Sequence, residues 1–496
     1  MEKEEPAPAM DKQSNSHDST VDKVSDLTVS ELISMPALSQ QTTSMPSFPS
    51  SLPPTAPSPT NVYGPKSFNF AEHHNINYPD KHRHRRSLDP DAEQHLYQKH
   101  HRRRSSNAAA AAVYGSSSSS GMHLETRQSQ NYYHVDKDKW ILVTGGAGYI
   151  GSHTVLELLT QGLKVVVIDN FYNSSEESLI RVQKLVDGTL EWHNVDVLDA
   201  EALSTIFKKY DIWAVIHFAA MKAVGESAQI PLSYYRNNIS GTINLLQCMQ
   251  THGVKNFVFS SSATVYGESE ATPVKETAKL GPVTNPYGRT KLFGEDILRD
   301  LYNSDHSWNI VILRYFNPVG AHSSGLIGEH PNGIPNNLLP YVSQVVQGRL
   351  PYLRIFGNDY PTIDGTGVRD FIHVCDLATG HVKAIEKLAQ RPGCVAYNLG
   401  TGVGYSVLQI VHAMERATGV SIDYKIEPRR PGDIAVSTAD ATLANRELGW
   451  WPMKQLDEMC EDMWRWARRN PGGYDGMVML SDSGEQEIGD DLDMDD

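Results

Sequence analysis

The stretch Ile141-Leu142-Val143-Thr144-Gly145-Gly146-Ala147-Gly148-Tyr149-Ile150-Gly151-Ser152 joins a short apolar run to a glycine-rich turn and then to a helix start. Gly145, Gly148 and Gly151 recur at every third position. Glycines so spaced let the backbone turn tightly, approach a pyrophosphate and pack the next helix on its strand, while that helix's N-terminus offers N–H groups to the phosphates. A glycine triplet alone would serve equally as a tight turn in an unrelated βα unit. The continuation strengthens the reading: an amphipathic run over 154–163, a second apolar strand over 165–168, and Asp169 at its end, 18 residues past Gly151. An acid at that place holds a ribose diol and repels the 2′-phosphate of NADP, so the pattern predicts NAD as cofactor.

The chain has 496 residues and a formal net charge of −15, which argues against nucleic-acid binding by the whole chain. Residues 1–138 are rich in Ser, Pro, His and Gln, include the runs 108–112 (Ala) and 116–120 (Ser), and show no sustained apolar period. Such a segment cannot bury enough surface to offset chain entropy and is expected to be disordered. The expected organisation is an NAD-binding domain over 139–318, a substrate-binding domain over 319–476 that is partly interleaved with the first, and an acidic tail over 477–496. Cys248, Cys375, Cys394 and Cys460 lack CxxC or zinc-ligand spacing, so no metal site and a reduced, cytoplasmic setting are expected. Neither a signal peptide nor an apolar run of membrane-spanning length is visible, and no membrane partner is expected.

Strand-like and helix-like stretches alternate beyond Asp169: 190–195, 200–210, 212–218, 234–252, 256–260, 287–303 and 308–314. This predicts an α/β fold with a doubly wound parallel sheet of Rossmann type and a smaller α/β C-terminal substrate domain, in which helices shorten from Val319 onward. The strand over 395–399 is expected to return toward the first domain. Ligands in this fold gather outside the carboxyl ends of the strands, where Asp196, Phe218-Ala219-Ala220-Met221-Lys222, Ser260 to Ser262 and Phe316-Asn317 fall.

Tyr287 and Lys291 are four apart at a predicted helix start, so both side chains lie on one face. An ammonium beside a phenol favours the phenolate and makes tyrosine a usable base near neutrality. Tyr133 and Lys137 share the spacing, so position must separate the pairs: Tyr287 follows the strand ending in Ser260-Ser261-Ser262. On its own that triplet would equally be an ordinary polar strand exit.

The motifs 144–151, Ser260-Ser261-Ser262-Ala263-Thr264-Val265-Tyr266-Gly267 and Tyr287-Gly288-Arg289-Thr290-Lys291 resemble an extended short-chain dehydrogenase/reductase. More narrowly, 218–227, Tyr315-Phe316-Asn317-Pro318-Val319-Gly320-Ala321-His322, 334–337 and 364–374 are similar to the motifs of the UDP-glucose (UDP-galactose) 4-epimerases. The resemblance spans 141–474. It implies cofactor contacts at Gly145, Gly148, Tyr149, Ile150, Gly151, Asp169, Asn170, Asn173, Ser174, Asp196, Val197, Phe218, Ala219, Ala220, Lys222, Asn237, Ser260, Tyr287, Lys291 and Tyr315. It implies Tyr287 as catalytic base, Lys291 as its electrostatic partner and Ser262 as the hydrogen-bond partner of the reacting sugar oxygen. For the UDP-sugar it implies Lys222, Ser262, Tyr287, Phe316, Asn317, Asn337, Leu338, Phe356, Arg369, Arg430, Asp433 and Ser437. Without its neighbours, Arg369 would equally be a domain-bridging salt bridge to an acid such as Asp370.

The implied activity is NAD-dependent C4 epimerisation through a 4-keto sugar, with UDP-N-acetylhexosamines as a further substrate pair and a homodimer as the expected assembly. Ser437 aligns with a pocket-wall position that is tyrosine in many bacterial-type relatives and cysteine in animal-type ones, and serine leaves room beside the C2 substituent. Three other readings stand beside it. A nucleotide-sugar 4,6-dehydratase would place an Asp-Glu pair after the serine motif, where Ala263, Thr264 and Val265 stand. A UDP-pentose epimerase differs by pocket size. A non-catalytic NAD-binding scaffold would act through the N-terminal segment and its short basic runs 83–86 and 102–104.

Overall fold

The structure is a computed structural model that describes residues 135–476, apart from 270, 332, 336, 431 and 432. All of these belong to one compact unit, Leu124–Asp496. The expected disorder of the N-terminal segment up to 134 and the acidic tail 477–496 lie outside the described residues.

Thirteen strands are described: β1 Trp140–Thr144, β2 Lys164–Asp169, β3 Leu190–Asn194, β4 Ile212–His217, β5 Asn256–Ser262, β6 Asn309–Tyr315, β7 Asn317–Val319, β8 Leu353–Phe356, β9 Val368–His373, β10 Cys394–Leu399, β11 Gly404–Ser406, β12 Tyr424–Glu427 and β13 Val436–Ser437. Seven form a sheet in the order β10-β6-β5-β4-β1-β2-β3, and every pairing in it is parallel. Successive side chains of a strand point to opposite faces, so an all-apolar strand must be covered on both. Ile141 and Val143 enter one core with Val155, Leu158, Leu377 and Ile385, while Leu142 enters the other with Leu203, Leu245, Phe257 and Leu298. The chain steps outward from β1 to β3 and restarts on the other side at β4, which opens a crevice at the carboxyl ends of β1 and β4.

The remaining strands build a smaller assembly. β9 lies between β11 and β13 and also pairs with β7, and β8 pairs with β12. Its core packs Phe371 and Val319 against Ile410, Met414, Met459 and Met463.

Two elements depart from the sequence expectation. The helix Val374–Ala389 runs for 16 residues, so helices do not shorten uniformly after Val319; this one covers the large sheet rather than the small assembly. The single helix expected over 234–252 is broken into Pro231–Tyr235, a π-helical turn Arg236–Ser240 and Gly241–Thr251. A π-turn adds one residue without changing the apolar period on either side, so periodicity does not reveal it. At the start of the body, Val135 packs against the first core and Lys137 Nζ donates to the Gln161 carbonyl at 2.7 Å.

Candidate active site

The glycine turn has the shape of an anion cradle. Gly145 adopts φ +68° and lies so close to the β4 exit that a Cβ would come within 2.6 Å of Ala219 N; a Cβ on Gly151 would reach 2.3 Å from the Gly145 carbonyl oxygen. The helix Tyr149–Thr160 that follows has no side-chain cap and no acid in its first turn. Its positive end is therefore available to phosphate. Asp169, at the end of β2, is fixed by the Ala147 N–H at 3.0 Å, the Phe171 N–H at 2.9 Å and the Ser174 hydroxyl at 2.8 Å. Asn170 donates to Asp196 at 3.0 Å, which in turn accepts the Leu198 N–H at 2.8 Å. Asn173 is exposed in the turn after β2. Val197 is buried against Gly241. Asn237 lies in the π-turn and donates to Asn238 at 2.9 Å. The residues present fit a dinucleotide: a backbone cradle with no room for a Cβ at Gly145 or Gly151, beside an immobilised carboxylate.

The reacting groups gather at the ends of β5 and β6 and on the helix Pro286–Ser304. Asn285 caps that helix by accepting the Gly288 N–H at 2.8 Å, and Pro286 opens it, which sets Tyr287 in the first turn. The Ser262 hydroxyl accepts the Thr264 N–H at 3.2 Å and the Thr264 hydroxyl at 3.0 Å, and its nearness to Tyr287 works against the rise in phenol pKa caused by burial. Lys291 Nζ donates to the Ser260 carbonyl at 2.7 Å, lies 6.0 Å from the Tyr287 ring centroid, and is lowered by burial to about 7. The sequence argument has Lys291 lowering Tyr287. In the structure, burial dominates both groups, raising the phenol and lowering the ammonium. Tyr315 donates to His381 Nε2 at 2.6 Å, since His381 Nδ1 is engaged by the Leu377 carbonyl.

The far wall is built on the small sheet. Arg369 of β9 is in register with Tyr405 of β11 on one side and Ser437 of β13 on the other. Its partners are the Asp433 carboxylate and the Val368 and Ile434 carbonyls. Asp370 is not its partner. That carboxylate points to the opposite face and accepts from Thr401, Gly402 and Ala439, as alternation along a strand requires. Arg430 lies 4.7 Å from the Phe356 ring centroid, and Asn317 donates to the Asp370 carbonyl at 2.9 Å. Phe316 is buried in a small core with Val265, Tyr266 and Ala439, so its side chain is committed to packing. Asn337 is exposed at the start of the helix Leu338–Val346.

The sequence reading missed several residues. Glu295, one turn beyond Lys291, accepts from Ser261 at 2.6 Å and from Arg314 at 2.9 and 2.7 Å. The spacing 287, 291, 295 carried that signal. Glu329 accepts from Lys222 at 2.8 Å, and because the two lie 107 positions apart in sequence no local pattern could have shown it. Among the described residues no group of three or more His, Cys, Asp or Glu is arranged to hold a metal ion, and no helix is long and apolar enough to cross a membrane.

A seven-stranded Rossmann sheet with serine at a strand end, and tyrosine and lysine four apart on the adjoining helix, defines an extended short-chain dehydrogenase/reductase. The family model described as GDP-mannose 4,6 dehydratase matches residues 142–463. The UDP-glucose 4-epimerase of Homo sapiens is 60% identical over 340 residues, covering 67% of this chain and 98% of that protein. The UDP-glucose 4-epimerase of Bacillus subtilis is 58% identical over 334 residues, with the same shares covered. Among solved structures, the UDP-glucose 4-epimerase of Bifidobacterium longum in complex with NAD+ and UDP has 51% identity and a TM-score of 0.66, covering 67% of this chain and 99% of that one. The chain belongs to this extended family and, within it, to the UDP-glucose 4-epimerases.

Proposed function

We propose that this protein interconverts UDP-glucose and UDP-galactose by inverting C4 with a tightly bound NAD. The observation that carries the reading is the gathering of Ser262, at the end of its strand, with Tyr287 and Lys291 on the adjoining helix, next to the glycine cradle, in a chain 60% identical to a human UDP-glucose 4-epimerase. Bound NAD supplies a hydride acceptor that becomes a hydride donor. Tyr287, as phenolate, takes the proton of the C4 hydroxyl, Ser262 holds the same oxygen, and Lys291 stabilises the phenolate. Arg369 and Arg430 grip the diphosphate and Asn317 and Asn337 the polar edges of the substrate, while the hexose stays loose enough to turn its other face. Tyr287 then returns its proton to the 4-oxygen, so the reaction has no net redox change.

The 4,6-dehydratase reading lacks its acid pair: the turn after Ser262 is Ala263–Tyr266 and carries no carboxylate. Assay of the purified protein with UDP-glucose, UDP-N-acetylglucosamine and UDP-xylose, each without added oxidant, tests the activity and its range. Conversion of UDP-xylose alone would favour the pentose reading.

The same proposal extends to the N-acetylated pair, because Ser437 and Tyr405 flank Arg369 with one small side chain and one large one. The organisation that goes with it is a dinucleotide half over 139–318 and a substrate half over 319–476, exchanging β10. A cytoplasmic homodimer completes the reading. Support for the dimer comes from Leu232 and Phe293, 81% and 45% exposed on neighbouring helices, with Tyr235 stacked 6.3 Å from Phe293; large apolar groups exposed together mark an interface. Four free cysteines suit a reducing compartment.

A further inference from the structure

The segment Gly320 to His330 is fastened to residues on both sides of the crevice at the carboxyl ends of β1 and β4. At its start Gly320, with φ +87° and His373 Nε2 only 2.8 Å from where a Cβ would sit, accepts the Tyr149 hydroxyl at 2.7 Å. Tyr149 opens the helix behind the glycine turn. At its far end Glu329 accepts Lys222 Nζ at 2.8 Å, and Lys222 belongs to the loop leaving β4, with Nζ 5.9 Å from the Tyr149 ring. The segment thus joins the β1 exit to the β4 exit.

Its back is held firmly. Trp466 Nε1 donates to the Glu329 carbonyl at 3.0 Å. The Tyr474 hydroxyl accepts the Gly328 N–H and donates to the Gly328 carbonyl, both at 3.1 Å. Gly328 lies so close to Trp466 that a Cβ would come within 2.4 Å of the indole. Arg181 packs 5.1 Å from the Tyr474 ring centroid and donates to the Leu326 carbonyl at 3.2 Å. The front is different in kind. The Glu329 side chain is nearly buried but that of Lys222 is 53% exposed, so this ion pair is open to water and is the fastening that breaks most easily.

We propose that residues 320–330 form a strap that retains the dinucleotide between the two half-reactions, with Glu329 as its latch and Tyr474 as its anchor. The proposal rests on NAD being the bound cofactor. The chemistry asks for such a device: the hydride removed from C4 must return to the same sugar, so release of the reduced cofactor in mid-cycle strands a ketone. An ordinary dehydrogenase must let its cofactor go at each turnover.

The test compares the full-length parent protein with Glu329→Gln and Tyr474→Phe. Three quantities are read: dinucleotide co-purifying per chain, its rate of loss on dilution, and the thermal midpoint of the cofactor-stripped proteins. Loss of one charge-assisted bond predicts release about fivefold to tenfold faster from Glu329→Gln, faster release from Tyr474→Phe, and stripped midpoints within about 3 °C of the parent. Release at the parental rate from both variants overturns the strap. Faster release accompanied by a much lower stripped midpoint also overturns it, because the segment would then only hold the fold together. A parent protein that carries no dinucleotide overturns the cofactor reading itself, which separates that failure from failure of the strap.

Discussion

The Lys291 ammonium nitrogen stands 6.0 Å from the centroid of the Tyr287 ring, one helical turn away, and donates to the carbonyl of Ser260. Burial raises the phenol's pKa and lowers the ammonium's to about 7. Burial of the two groups therefore disfavours the charged form of each.

The first prediction concerns Lys291→Met. A lysine whose folded pKa is depressed binds fewer protons folded than unfolded between about 7 and 10.5, so its burial penalises the fold most at and below neutrality and less as pH rises. Removing the charge should raise the thermal midpoint of the cofactor-stripped protein at pH 7 by about 1–2 °C, the shift that roughly 1 kcal/mol produces in a body of this length, while activity falls. Differential scanning fluorimetry and a turnover assay check this. A lowered midpoint would show that the Ser260 hydrogen bond outweighs the penalty.

Acid should unfold the protein through its buried histidines. Burial lowers His153 and His217 to about 3 and His381 to about 4. Each contributes stability that is present above its unfolded value of 6.5 and is lost as pH falls toward those folded values. Thermal midpoints should hold from pH 7.5 to about 6.5 and decline from there to pH 5, and a flat profile below pH 6.5 would contradict the assignment of neutral buried imidazoles.

Ser437→Tyr should suppress conversion of the UDP-N-acetylhexosamine pair at least tenfold more than that of UDP-glucose, because a clash with the C2 substituent excludes one substrate and spares the other. Separate kcat/KM values for the two pairs read this out. Absence of N-acetyl turnover in the parent would mean that Tyr405, in register on the other side of Arg369, already fills the space.

The homodimer proposal predicts that Leu232→Glu with Phe293→Glu yields a monomer in sedimentation velocity while the parent sediments as a dimer. Both side chains are well exposed, so the double variant should still fold. A parent sedimenting as a monomer removes the proposal.

The glycine turn, Asp169 and the Tyr287–Lys291 pair were legible because each is local: a turn, a strand end, one helical turn. Strand positions were legible too, since buried parallel strands are continuous apolar runs; β5 and β6 extend only slightly past their expected ends. What sequence could not show depends on contacts across the chain. Arg369 pairs with Asp433 rather than its neighbour Asp370 because alternation sends Asp370 to the other face. The π-turn at Arg236–Ser240 leaves the apolar period intact, and Glu329 meets Lys222 only after folding.

Tyr287→Phe should keep NAD yet lose about 100-fold to 10,000-fold in turnover, since only the proton-transfer group is removed. Activity within about threefold of the parent would reassign the base.

The most direct measurement follows the C4 hydrogen itself. UDP-galactose deuterated at C4 is mixed with the purified protein in ordinary water, without added NAD, and the product is examined by NMR and mass spectrometry. A hydride that leaves C4 and returns to the opposite face predicts UDP-glucose with the deuterium still on C4 and no free keto sugar. Loss of the label to solvent, or accumulation of an oxidised or dehydrated sugar, would contradict the account.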